Sequence, residues 1–339
     1  MLEPALSTMW MMNRHKSLQE FFDAAREAGY ERFELNHFVS QEMVNGVKFP
    51  PDAILSLHAP CPTHPRTRDA EVSSLDKDER LLAIEAVKAS LDLAERIGAQ
   101  VVILHAGHVE VNPELEKELR VLYNQGQRGS ARYQDIQAEL IEERARHAQR
   151  HLDATMRSLE RIATLADDAG IRIALENRFF YNEIPLPDEL ALILDEFAGP
   201  VGFWFDTGHA YALEELGFMR HSEWLSGFSQ SLLGMHLHDI QVVPQDAAAS
   251  SEVLIGEPDE EKARENGGDG AGEQEVKRLR DHLTPGSGVV DFAEVAQYIH
   301  DNVLVTAEID GSHTAEQVSA ALDYLRNLKE LARAQPEAQ

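Results

Sequence analysis

Six polar residues follow six apolar runs: His58 after AILSL, His105 after VVIL, Glu176 after IRIAL, Asp206 after VGFWF, His236 after LLGM and Glu308 after VLVTA. Each is a residue type that binds divalent metals. Glu176, Asp206, His236 and Glu308 offer three carboxylates and one imidazole, a mostly hard donor set suited to Mn²⁺, Mg²⁺, Co²⁺ or Zn²⁺ with positions left for substrate oxygens. Three carboxylates converging on one point repel one another unless a cation neutralises them. The pattern therefore predicts a divalent metal as cofactor.

The elements that must carry these residues are legible in the same runs. Continuous Val/Ile/Leu stretches read as strands buried on both faces, as in parallel sheets. Metal-binding residues at the carboxyl ends of several such strands describe the mouth of a parallel barrel. ALSTMW (5–10) reads as a first strand, SLQEFFDAAREAG (17–29) as an amphipathic helix opened by Ser17, and RFELN (32–36) as a second strand. A helix over 75–97 stops at Gly98 before VVILHAGH, and another from about 136 to 169 stops at Gly170 before IRIALEN. TAEQVSAALDYLRNLKELARA (314–334) closes the chain as a helix. Eight strand candidates with helices between most of them predict an α/β protein, a single (β/α)8 TIM barrel over 1–339, with no short-period repeat. Two intervals exceed a plain strand-to-helix step and predict loop insertions at the C-terminal face, about 107–140 and 241–290. The first is charged and partly helical. The second contains QDAAASSEV and ENGGDGAGEQE, and its middle, about 246–275, reads as a surface excursion without fixed structure that either covers the site or decorates the surface.

Lys and Arg number 31 against 59 Asp and Glu, a net charge of −28. Such a surface repels nucleic acid and anionic membranes at long range; solvation in salty surroundings would give the same balance. Cys61 is the only cysteine, so no intrachain disulfide forms, and between Pro60 and Pro62 it has no evident base. The start, MLEPALSTMWMMNRHKS, lacks a signal-peptide pattern, and no apolar run approaches the roughly 20 residues of a membrane span. The expectation is a soluble, cytoplasmic protein with no membrane partner. The sequence leaves a homo-oligomer open.

In order along the chain, LHAP at His58, LHAGH at His105, LEN at Glu176, DTGHA at Asp206, HLHD at His236, HLTPGSGVVDF from His282 and AEID at Glu308 resemble the xylose-isomerase-like barrels. This family contains sugar and sugar-phosphate isomerases and epimerases, and the endonuclease IV type of abasic-site nuclease. The resemblance spans about residues 5–330. It implies that Glu176 and Glu308 both bind the metal and shuttle protons from opposite sides of a sugar or sugar phosphate, through a metal-stabilised enediolate. On the nuclease side it implies that His58, His105, Glu176, Asp206, His209, His236, His282 and Glu308 hold up to three zinc ions. One ligand is out of register there: Arg280 stands where that branch has an Asp, with Asp281 adjacent and Asp239 a further substitute. That departure and the negative charge favour one ion and a sugar isomerase or epimerase. A multi-zinc phosphodiester hydrolase is the alternative, and a sugar-binding barrel without turnover is a third reading.

Other residues carry weaker expectations. His209, three after Asp206, shares its rim as ligand or substrate donor. His238 alternates with His236 and is expected to pack away from it. Asp239 is expected to orient His236. Asn177 either holds a loop or touches substrate. Arg178, followed by Phe179, Phe180 and Tyr181, could wall a pocket and hold a phosphate, Trp10 could line the pore, and Glu34 and His37 could reach a substrate hydroxyl.

Overall fold

The computed structural model describes residues 2–242 and 279–330. Its strands are β1 (Ala5–Ser7), β2 (Arg32–Leu35), β3 (Ile54–His58), β4 (Val101–Leu104), β5 (Arg172–Glu176), β6 (Val201–Asp206), β7 (Leu232–Leu237), β8 (Asp239–Val242), β9 (Leu279–Leu283) and β10 (Leu304–Ala307). Eight of them close into a parallel barrel in the order β1-β10-β7-β6-β5-β4-β3-β2, with helices around it. This is the (β/α)8 TIM barrel that the strand count predicts. β8 and β9 form a separate antiparallel pair inserted between β7 and β10. That hairpin frames the second long interval, whose 246–275 stretch lies outside the described residues. Among the described residues no helix is long and apolar enough to cross a membrane.

Local capping shifts the expected limits of two elements that flank the site. The first strand stops at Ser7, because the Ser7 hydroxyl accepts the Met9 N–H (3.3 Å) and caps a 3-10 turn over Thr8–Met11. The long helix begins at Ala131, where the Ser130 hydroxyl accepts the Tyr133 N–H, and runs 39 residues to Ala169. The interval 107–140 thus holds a helix over Pro113–Asn124 and the first turns of the long one. Gly170, at φ +66°, ends that helix in the left-handed conformation that lets the chain turn straight into β5.

Strand alternation makes two cores and a polar ring. Val101, Ile103, Ala174 and Trp204 pack together inside the barrel, while their neighbours Val102, Leu104, Ile173, Leu175, Phe203 and Phe205 belong to the larger core shared with the helices. Continuing the inward parity to the carboxyl ends brings Glu34, Ser56, His58, Glu176, Asp206 and His236 to one mouth, all buried. Parallel register puts Asp206 beside His236 and Glu34 beside Ser56. A fully buried large apolar side chain contributes about 1.5–3 kcal/mol. Dozens of them hold the frame that keeps these polar groups out of water.

Candidate metal centre

His236 is the hub of the mouth. Its Nδ1 faces Glu176 Oε1 at 2.6 Å, Glu308 Oε2 at 3.3 Å and Asp206 Oδ2 at 3.6 Å. Its Nε2 meets Glu34 Oε1 at 3.0 Å, and Glu34 Oε2 accepts the Ser56 hydroxyl at 2.7 Å. Glu34 is fully buried between His236 and Ser56, where it orients the imidazole. One donor atom each from Glu176, Asp206, His236 and Glu308 lies within 4.8 Å of the others. Three carboxylate oxygens and a ring nitrogen aimed at one point are a donor set that fits a divalent ion such as Mn²⁺, Mg²⁺, Co²⁺ or Zn²⁺.

Opposing charge balances burial throughout this group. Burial alone would lower the His236 pKa, but the charges of Glu308, Glu34 and Glu176 outweigh it and hold the ring well above its ordinary range. Burial would raise Glu176, yet the charge of His236 and hydrogen bonds from His105, His236 and His58 hold it well below the usual carboxylate range. Asp206 is likewise lowered against burial by His209 and His238. Glu308 is held at about 2, because the charges of His236 and His282 exceed the cost of burial. His282 is raised in the same way, against burial, by Asp281 and Glu308.

Two further groups of possible ligands adjoin this one among the described residues, His58–His105–Glu176 and His209–His238–His282. In the first, His58 Nε2 and His105 Nε2 lie 3.2 Å and 2.7 Å from Glu176 Oε2. In the second, the backbone N–H of His282 donates to His238 Nδ1 (2.9 Å), so the ring proton belongs on Nε2, which is 3.0 Å from both Asp206 carboxylate oxygens. His238 therefore donates to Asp206 and orients it. Gly208 makes room for this: a Cβ there would lie 2.1 Å from His238 Cε1. His209 Nδ1 donates to the Asn177 carbonyl (3.0 Å), which leaves its Nε2 lone pair free to ligate. His282, buried with φ +52°, pairs through Nδ1 with Asp281 (3.2 Å), and its Nε2 is 3.6 Å from Glu308. A buried non-glycine residue in that strained conformation is held there by its surroundings.

Several sequence expectations change. Trp10 is buried: its indole N–H donates to the His313 carbonyl (3.0 Å) and its ring packs against Phe21. Asn177 clasps the next strand, accepting the Asp206 N–H (2.8 Å) and donating to the Asp206 carbonyl (3.0 Å). Asp239 does not orient His236. It accepts the backbone N–H groups of Ile240, Gly286, Gly288 and Val290 at 2.7–3.0 Å and ties the PGSG turn to β8. Arg280 faces Ser312 and Asp310, away from the centre, and the neighbouring Asp281 holds His282.

A cavity of about 270 Å³ opens beside the centre, lined among others by His37, Glu71, His105, Gly107, Arg178 and Glu183. His37 is kept neutral there, its pKa pushed down to about 3 by burial and by the charge of His58. Glu183 is the residue sequence reasoning missed. Its Oε1 takes Arg178 Nε (3.0 Å) and its carbonyl takes Arg144 Nη2 (2.9 Å). No strand end marks it, and only its position seven residues after Glu176 in the same rim loop hinted at it.

A family model described as the xylose isomerase-like TIM barrel matches residues 22–328. The chain belongs to this family. A curated relative, the uncharacterized protein MJ1311 of Methanocaldococcus jannaschii, is 23% identical over 241 residues, covering 68% of this chain and 69% of that one. Similar solved structures include a D-tagatose 3-epimerase-like protein (17% identity, 98% of each chain, TM-score 0.58) and an L-ribulose 3-epimerase (12%, all of each chain, 0.61). Another is the IolI protein with a bound zinc (12%, 98% of this chain and all of that one, 0.60). At these identities the likeness is one of fold. These structural neighbours are mostly named as sugar epimerases or isomerases.

Proposed function

We propose that this protein is a divalent-metal-dependent isomerase or epimerase of a sugar or sugar phosphate, with Glu176 and Glu308 as its proton-transferring pair. The observation that carries the reading is the convergence of Glu176 and Glu308 on His236 Nδ1 from strands β5 and β10, which lie on either side of β6 and β7. Two carboxylates flanking one point can remove a proton from one side of a substrate and return it from the other. Both are held ionised, as a base must be. A divalent ion bound there supplies Lewis-acid polarisation of a carbonyl and its neighbouring hydroxyl, which acidifies the carbon-bound proton. Asp206, fixed by His238 and the His209 N–H, and His236, fixed by Glu34, hold the position of that ion. The adjoining cavity is of the size of a small substrate, and neutral His37 offers it a hydrogen bond. The net charge of −28 favours a small substrate over nucleic acid, and the names of the epimerase neighbours point the same way.

The test is solvent-hydrogen exchange into ketoses and ketose phosphates by the metal-loaded protein. Exchange that is lost in Glu176→Gln and in Glu308→Gln supports the reading; no exchange with any ketose sinks it. The two adjoining histidine groups favour a second reading, a multi-ion phosphodiester hydrolase. Cleavage of abasic-site duplex DNA by the same preparation, at about three ions per chain, would establish it instead.

A further inference from the structure

We infer that Arg178 is a built-in cation that takes the place of a metal in the His58–His105–Glu176 group, so that this group holds a guanidinium and no ion. The inference rests on the single-centre reading above and deepens it. Arg178 Nη1 lies within hydrogen-bond reach of His105 Nε2 and 3.4 Å from Glu176 Oε2, two of the atoms an ion in this group would need. Those two atoms are 2.7 Å apart. A guanidinium at that point sets a fixed positive charge against the Glu176 carboxylate on the side an ion would take.

A zinc ion in this group would sit about 2.0–2.2 Å from the same nitrogen and oxygen atoms. Nη1 already occupies that space, and two positive charges would be pressed together in a buried pocket. Arg178 is also fastened where it is. Its Nε donates to Glu183 Oε1 (3.0 Å), Glu183 Oε2 accepts the Phe180 N–H (2.8 Å), and the Glu183 carbonyl accepts Arg144 Nη2 (2.9 Å). Arg144 is itself held by a bidentate pair with Glu189 at 2.9 and 2.8 Å. The rim loop is thus braced by the long helix to keep a guanidinium at Glu176. Within the proposed reaction, that contact orients Glu176 Oε2 while Oε1 faces the ion's position.

The experiment counts ions. Full-length protein is stripped with a chelator, reloaded with Zn²⁺, freed of excess and measured by elemental analysis, with circular dichroism on every variant. Arg178→Met is expected to bind one ion more than the wild type, Arg178→Lys the same number as the wild type, and Arg178→Met/His105→Ala to lose the extra ion. An unchanged count in folded Arg178→Met overturns the inference, as does a lower count in His105→Ala alone. If Arg178→Met does not fold, the His105→Ala and Arg178→Lys counts still decide. Failure of the isomerase reading looks different: the counts come out as expected while no ketose exchanges hydrogen.

Discussion

Glu34→Gln isolates the carboxylate behind His236. Glu34 is fully buried, its Oε1 3.0 Å from His236 Nε2 and its Oε2 2.7 Å from the Ser56 hydroxyl. When His236 ligates through Nδ1, its one proton sits on Nε2 and is donated to a carboxylate, a charge-assisted bond roughly twice as strong as a neutral one. Glutamine keeps the shape and removes the charge. Outer partners of this kind typically contribute 10–100-fold in metal affinity, about 1.4–2.8 kcal/mol, and full burial with no competing water places Glu34 toward the upper end. The pH dependence adds a second signature. In the ion-free protein His236 is held protonated well above its ordinary range, so ion uptake must expel that proton, and wild-type affinity should fall by about tenfold per pH unit as pH drops through neutrality. Glu34 is one of the three carboxylates that raise the ring. Its removal weakens the proton's grip as well as the metal's, so the affinity gap between wild type and variant should be widest at high pH and narrow as pH falls. Competition with a chromophoric chelator for Zn²⁺ between pH 6 and 9, on the order of one unit per step, measures both effects. Equal affinities at every pH, or a wild-type affinity indifferent to pH, would refute the placement of His236 as a ligand backed by Glu34.

Glu189→Ala should lower unfolding free energy by about 3–5 kcal/mol in urea titrations, because it strands the buried Arg144 guanidinium without its bidentate partner. Gly208→Ala should cost about 1–3 kcal/mol, since its Cβ would fall 2.1 Å from His238 Cε1, and should weaken ion binding through the displaced Asp206 partner; chelator competition on the folded variant reads this. His108 has a raised pKa through its hydrogen bond to Glu71, against burial, so its stabilising share is full below about pH 6.5 and is lost as pH rises through the higher folded value. Glu71→Gln should therefore reduce thermal stability at low pH and converge with wild type at high pH. The effect should stay within about 1 kcal/mol because the pair is partly exposed.

The strand ends were readable because two periodicities act on them at once. A parallel barrel buries both strand faces, which makes the runs continuous and their ends abrupt, and the period of two then fixes which end residue points inward. Glu176, Asp206 and His236 follow from that rule without any knowledge of neighbours, and Glu308 lies one residue beyond β10 on the same parity. What the rule does not contain is lateral register. Glu34 belongs to His236 across 202 positions of sequence, and nothing in RFELN distinguishes a buried orienting acid from one that reaches a sugar. The same limit applies to His238. Alternation predicts that it turns from His236, but its attachment to Asp206 depends on β6 and β7 being neighbours and on Gly208 leaving space. Arg178 lies furthest from what sequence can tell. A phosphate-binding arginine and a guanidinium packed into a ligand group are the same letter in LENRFF, and the choice between them is made by Glu183, Arg144 and Glu189. The brace and the charged centre it serves are therefore one electrostatic unit. Glu176 takes opposing charge from His236 on one oxygen and from Arg178 on the other, so exchanging a proton at His236 for a divalent ion raises the positive charge on one side while the guanidinium stays fixed. On that account Arg178→Met should tighten ion binding at the central group only if a second ion does not first fill the vacated corner. Zn²⁺ titrations of Arg178→Met and Arg178→Met/His105→Ala separate the two: tighter central binding is expected in the double variant, and wild-type affinity there would mean that Arg178 and the central ion do not share Glu176.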